Sequence, residues 1–212
     1  MSDSLWIKGL DALKLDIGLA LNDQQVDQLK QYVDLLMKWN KTYNLTAVRN
    51  TQDVIIRHIF DSLVVAPHIS KADCLDVGSG GGLPGIPLAI VFPEQQFTTL
   101  DTNGKKTTFM QQAGIQLGLK NLAVVKSRIE LFQPDIKFQQ VISRAFASIE
   151  DFVEGCASVL SDDGCLLAMK GEYPESELLA LPSGFSVIEK VDLRVPYLEN
   201  EQRCLIKIQR TI

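Results

Sequence analysis

Asp76, Gly78, Gly80, Gly82 and Asp101 are the residues of this chain whose types and spacing could do chemistry. The glycines lie in Cys-Leu-Asp-Val-Gly-Ser-Gly-Gly-Gly-Leu-Pro-Gly-Ile-Pro, residues 74–87, where a short apolar run ends and prolines open a helix. Glycine lacks a Cβ and tolerates positive φ, so this turn predicts backbone N–H groups brought close to a ligand. Asp101 closes the next apolar run, roughly 20 residues on, where nucleotide-binding folds place a carboxylate that accepts from ribose hydroxyls. The package predicts a nucleoside-type cofactor site. A glycine turn with no ligand is the bland alternative, disfavoured because so many adjacent glycines cost entropy unless something must approach the backbone.

Two details bear on which cofactor. A dinucleotide fingerprint needs a third glycine for close helix packing, and that sixth position is Leu83. Asp76, just before the turn, is expected near the ligand, where it would repel a pyrophosphate. S-adenosylmethionine carries a sulfonium and an ammonium and no phosphate, so the residues favour it, with a dinucleotide as the remaining alternative.

In an open parallel sheet the ligand site lies beyond the carboxyl ends of the strands. Besides the turn, that places Ile129 and Glu130 after a third strand, Arg144 after a fourth and Lys170 after a fifth. Ile129 would offer an apolar surface to adenine and Glu130 an acceptor, although a solvated helix-start carboxylate explains Glu130 nearly as well. Arg144 and Lys170 are cations ending central strands. They are either structural ion pairs, with Asp76 or Glu172, or, with Arg57, His58, Lys105, Lys106 and Arg128, part of a basic rim suited to phosphates. A lone helical histidine such as His58 is more often packed than catalytic. No side chain is assigned as a catalytic acid or base, and no metal is expected.

The elements that must position these groups follow from periodicity. Residues 1–70 read as a helical extension packed on the core. Asn22 and Gln25 resemble a capping box, and Val26, Leu29, Val33, Leu36 and Met37 recur at helical spacing. Residues 39–46 break that pattern and predict a polar loop. A second helix is expected from Asp53, with Val54, Ile55, Ile59 and Leu63 facing inward and His58 and Asp61 sharing a face. Residues 71–212 alternate strand-like runs (74–77, 97–100, 123–125, 139–143, 165–169) with helical ones (84–92, 105–117, 149–160), the pattern of an α/β domain. Two last runs, 185–195 and 203–208, predict an antiparallel hairpin. A mostly parallel sheet ending in such a hairpin is the arrangement of Rossmann-like S-adenosylmethionine-dependent methyltransferases.

Composition narrows the classes. At 212 residues and 46% hydrophobic content the chain can bury one good-sized core. A net charge of −5 argues against a non-specific nucleic-acid binder, though not against a local basic patch. No apolar run reaches a membrane span and the start lacks the cationic character of a secretory signal. The four cysteines, spread over 74, 156, 165 and 204, predict buried reduced thiols. A cytoplasmic protein is expected.

Residues 39–47, Arg57-His58-Ile59-Phe60-Asp61-Ser62, the 76–87 stretch, Ser143-Arg144-Ala145-Phe146-Ala147 and Met169-Lys170-Gly171 together resemble the bacterial small-subunit ribosomal RNA guanine-N7 methyltransferases, the glucose-inhibited division protein B family. The resemblance covers nearly the whole chain in the family's order. It implies a helical cap on a methyltransferase domain that uses S-adenosylmethionine. It further implies methylation of N7 of one guanine in the decoding-region loop of 16S rRNA, within the small ribosomal subunit or its precursor. By position, the family's cofactor contacts fall on Gly78, Leu83, Ile129, Glu130 and Arg144. RNA positioning is expected of Arg144, Lys170, His58 and Arg57, in a monomer. The competing readings are a methyltransferase acting on a small molecule or a protein, a nucleotide-dependent oxidoreductase, and a non-catalytic assembly factor.

Overall fold

Asn22 starts the helix that ties the two parts of the chain together. The computed structural model describes residues 2–144 and 146–211; Met1, Ile212 and Ala145 of the Ser-Arg-Ala-Phe-Ala stretch lie outside the described residues. After α1 (Ser2–Ile17), Asn22 caps α2 (Asp23–Tyr43) in a reciprocal box: its side chain accepts from the Gln25 N–H while the Gln25 side chain accepts from the Asn22 N–H. The helix runs through residues expected to be a polar loop, because Trp39 packs edge-on to Phe109 and against Tyr43, with ring centroids 5.6 and 5.2 Å apart. These ring contacts outweigh the polar residues between them. Only residues 44–50 form the connection.

Asn50 caps the next helical stretch through the Asp53 N–H. It runs as α3 (Thr51–Val54), a π-helical turn (Ile55–Phe60) and α4 (Asp61–Leu63). Val54, Ile55, Ile59 and Leu63 are fully buried on its inner side. The widened turn holds Arg57 and His58, a common location for such turns at functional sites.

The sheet then follows. β1 (Cys74–Val77), α5 (Gly85–Val91), β2 (Phe97–Asp101), α6 (Gly104–Gln116), β3 (Leu122–Lys126), β4 (Phe138–Ser143), α7 (Ile149–Cys156), β5 (Leu160–Lys170), α8 (Glu175–Leu178), β6 (Phe185–Asp192) and β7 (Cys204–Arg210) occur in that order. The seven strands form one sheet in the order β3-β2-β1-β4-β5-β7-β6. The first five are parallel, while β7 runs antiparallel to both β5 and β6. β5 begins at Leu160, where a helix was expected to continue; α7 stops at Cys156 and its core residues hand over to the strand. Strand order reverses between β1 and β4, the switch point at which α/β sheets bind ligands.

α2 packs on the face of the sheet covered by α5 and α6, and one buried cluster runs from Trp6 and Leu13 through Leu36 to Ile86, Phe109 and Leu205. Gln25 Nε2 donates to the carbonyls of Ile90 and Val91, and Gln28 Nε2 to that of Leu117, so α2 satisfies the open carbonyl ends of α5 and α6. On the opposite face α7 packs through Phe152 and Val153 on Leu75, Val141 and Leu166. Among the described residues no helix is long and apolar enough to cross a membrane.

Candidate active site

The glycine turn is stitched from within. Gly78 and Ser79 N–H groups both donate to the Leu100 carbonyl, Gly82 and Leu83 to that of Ser79, and Gly80 to Asp101 Oδ2 at 2.9 Å. The sequence predicts N–H groups offered to a ligand; these five are already bonded. The glycines instead serve by shape. Gly78, Gly80 and Gly82 have φ of 72°, 60° and 89°, and a Cβ on Gly82 would sit 2.4 Å from Ile86 Cδ1. A turn with these five donors consumed is poorly equipped for a pyrophosphate, which weighs against a dinucleotide site.

Beside the turn lies a hollow of about 330 Å³ lined by Gly78, Asp101, Lys106, Arg128, Ile129, Glu130 and Phe146 among others. Asp101 is oriented by the N–H groups of Gly80 and Asn103, which use one lone pair on each oxygen, and Lys106 Nζ stands 3.7 Å away. Ile129 is buried and Glu130 exposed at the rim. Asp76 is wholly buried. Its Oδ2 accepts from the Gly85 N–H at 2.8 Å, while Oδ1 has no hydrogen-bond partner; the Ser79 hydroxyl donates to the Asp76 main-chain carbonyl instead. Burial pushes its pKa up to about 7, against the Gly85 N–H and the Arg144 guanidinium, which pull it down. The Asp76 side chain, expected near the ligand, thus lines neither hollow; the carboxylate facing the first one is Asp101, which keeps a lone pair on each oxygen and fits ribose hydroxyls.

A second hollow, about 410 Å³, opens at the ends of β4 and β5 and is lined by Arg57, His58, Asp61, Arg144, Met169, Lys170 and Arg203 among others. The Ser143 hydroxyl donates to the Val77 carbonyl and fastens the end of β4 to the end of β1, so Arg144 emerges between the two hollows. Its guanidinium donates to Asp61 Oδ2 at 3.0 Å, while Arg203 Nε donates to Asp61 Oδ1 at 3.2 Å. Arg203 continues to Glu201, whose carboxylate also takes both terminal nitrogens of Arg57. The result is a ladder Arg144–Asp61–Arg203–Glu201–Arg57.

His58 is committed to the scaffold. The Arg57 carbonyl can only accept, so His58 Nδ1 carries the proton, and in the neutral ring Nε2 accepts from the Thr46 hydroxyl at 2.7 Å; that hydroxyl also accepts from the Val48 N–H. Burial and the Arg144 charge push its pKa down to about 4. Lys170 pairs with Glu177 at 2.7 Å and not with the expected Asp76 or Glu172; Glu177 also accepts from the Ile149 N–H at the start of α7.

The expected residues therefore divide. Gly78, Asp101, Ile129 and Glu130 line the first hollow; Gly80 braces Asp101, and Gly82 and Leu83 lie buried behind the turn. Arg57, His58, Arg144 and Lys170 all line the second, so Arg144 does not line the cofactor hollow. The expected basic rim is split, with Lys106 and Arg128 at the first hollow and Lys105 exposed outside both. Asp61, Arg203, Glu201, Glu177 and Phe146 were not singled out for these places by sequence reasoning, and only the paired spacing of His58 and Asp61 hinted at one of them. A larger hollow of about 680 Å³, between α1 and residues 193–201, contains none of the glycine-turn residues.

Sheet order, switch-point site and terminal hairpin define a Rossmann-like methyltransferase. A solved SAM dependent methyltransferase from Aquifex aeolicus shares that fold, with a TM-score of 0.57 at 19% identity over 74% of this chain and 92% of that one. The chain belongs to the family described as rRNA small subunit methyltransferase G (GidB), whose family model matches residues 25–206. It is 50% identical to the Ribosomal RNA small subunit methyltransferase G of Marinobacter nauticus, over 90% of this chain and 89% of that one. Identity to the same-named protein of Aeromonas salmonicida is 48%, over 94% and 96% of the two chains. The chain is accordingly a methyltransferase, and its cofactor is S-adenosylmethionine.

Proposed function

We propose that this enzyme methylates N7 of a guanine in the decoding-region loop of 16S rRNA, acting as a cytoplasmic monomer on the small ribosomal subunit or its precursor. The observation that carries the reading is the second hollow: four cations around a space beside the cofactor cleft, with no free base facing it. His58 is neutral and bonded at both nitrogens, and Asp61 is held by two guanidinium groups.

Guanine N7 has a lone pair on the major-groove edge and no proton to remove. When bound, S-adenosylmethionine supplies an electrophilic methyl group on a sulfonium sulfur. The protein's own task is alignment and exclusion of water. Asp101, held by Gly80 and Asn103, is suited to the ribose hydroxyls, and Ile129 and Phe146 to the adenine faces. Arg144 stands where it can donate to guanine O6 or to a phosphate and leave N7 bare. Arg57 and Lys170, each paired with a carboxylate in this structure, are suited to exchange that partner for a backbone phosphate, a contact that positions RNA without reading it. A chain of net charge −5 lacks the charge for indiscriminate RNA binding, which supports a structured particle as substrate.

The test is mass mapping of 16S rRNA from cells lacking the protein, followed by labelled methyl transfer to their small subunits. One N7-methylguanosine should be missing and should be restored by the purified enzyme. An unchanged methylation map would overturn the reading.

A further inference from the structure

We propose that Glu201 is a built-in stand-in for an RNA phosphate, filling a two-guanidinium seat from which docking RNA displaces it. The inference rests on the RNA reading of the second hollow. The Glu201 carboxylate lies across the fork of Arg57, at 2.6 and 3.0 Å, and takes a further bond from Arg203 at 2.9 Å. Two guanidinium groups converging on one planar anion is the arrangement that also captures a phosphate. Both arginines line the hollow, whereas Glu201 does not; it stands on the rim between that hollow and the one of about 680 Å³ beside α1. Space to swing away is therefore built in.

The other carboxylate of the ladder behaves differently. Asp61 sits at the start of α4 with a side chain only 7% exposed, and it is a permanent counter-ion for Arg144 and Arg203. The Glu201 side chain is 37% exposed on the irregular connection between β6 and β7. The two forks hold its carboxyl down at about 2, so protonation never releases it near neutral pH. Only a competing anion can. With the seat prefilled, stray RNA gains little from Arg57 and Arg203, and a correctly docked particle, contributing contacts elsewhere, trades one anion for another. The device suits a protein that must ignore most RNA.

The experiment measures binding of unmodified small subunits to the wild-type protein, Glu201→Gln and the neighbouring control Glu199→Gln across a salt series. Glu199 accepts from the Tyr197 N–H and touches neither fork. Glu201→Gln should bind several-fold more tightly at low salt, discriminate less against unrelated RNA, and steepen the log K against log salt slope by about 1. Glu199→Gln should leave the slope unchanged. Equal slopes in both variants, or weaker binding by a Glu201→Gln protein of native melting temperature, would show a mere structural clamp and overturn the proposal. If Glu201→Gln does not fold, Glu201→Ala, which also removes the charge, should steepen the slope in the same direction, and an unchanged slope there also overturns it. Wild-type protein that neither binds nor methylates the particle would instead sink the RNA reading itself.

Discussion

The Tyr32 hydroxyl, on the second helix of the chain, donates a hydrogen bond to the Gly81 carbonyl at the centre of the glycine turn. Both groups are buried, and Leu36, one helical turn further on, fills the space against Gly81. Burial raises the phenol pKa far above its ordinary value, so it remains a donor at any working pH. The helical cap thus holds the cofactor turn from behind. Tyr32→Phe strands a buried carbonyl and should cost about 1–3 kcal/mol. Denaturant titration should show that loss, and calorimetry with S-adenosylhomocysteine should show several-fold weaker binding; unchanged affinity would mean that the turn keeps its shape unaided.

Arg144 bridges the Asp61 carboxylate and the Arg57 carbonyl beside the proposed base site. Arg144→Ala should lower methyl transfer to unmodified subunits at least tenfold, about 1.4 kcal/mol or more in the barrier. The protein should stay folded, because Asp61 keeps Arg203. Wild-type turnover in a folded variant refutes the role.

Asp76 carries a pH signature. Its carboxyl titrates near 7 in the folded protein against an ordinary 3.8, so native protein retains a proton that the unfolded chain releases. The stabilisation is complete below 3.8 and is lost as pH rises through 7. Measured against Asp76→Asn in denaturant titrations at fixed salt, cofactor-free wild type should therefore lose stability between pH 5 and pH 8, because both proteins share the opposing His58 contribution. Asp76→Asn should flatten that slope; an equal slope in the variant would place its origin elsewhere.

His58 behaves in the opposite sense. Its folded pKa of about 4 lies below the ordinary 6.5, so its contribution is present above 6.5 and lost as pH falls toward 4. NMR titration should find the His58 ring neutral throughout the range 5–8. Thr46→Val, which removes the hydroxyl bonded to Nε2, should cost about 1–3 kcal/mol. A midpoint near 6.5 in the wild type would contradict the buried network.

The glycines of the turn are not equivalent. Alanine at 80 meets nothing nearer than 4.0 Å, so it bears the left-handed backbone cost alone, about 1–2 kcal/mol. Alanine at 82 has that cost and also a contact of 2.4 Å with Ile86, worth about 1–3 kcal/mol more. Gly82→Ala should melt lower than Gly80→Ala, and equal melting would mean that Ile86 gives way freely.

Much of the scaffold is legible in local pattern. β1 spans the four residues its apolar run predicts, and the capping box at Asn22 forms, because both depend on neighbours a few positions away. Local pattern fails at Trp39–Tyr43 for the same reason in reverse: the predicted loop is helix, held through Trp39 by Phe109, which no local window contains.

The amino-acid sequence by itself determined the strand-to-helix turn, the carboxylates at 76 and 101, and, to within one residue, where each parallel strand ends. These are consequences of steric freedom and periodicity. Tertiary structure alone decided what those groups are bonded to. Arg57 meets Glu201 across 144 positions and Arg203 meets Asp61 across 142, and five of the turn's N–H groups are consumed by Leu100, Ser79 and Asp101. Electrostatic and hydrogen-bond partners act through space over a few ångströms, so which distant charges meet is settled only when the sheet closes and the last strand returns beside the helical cap.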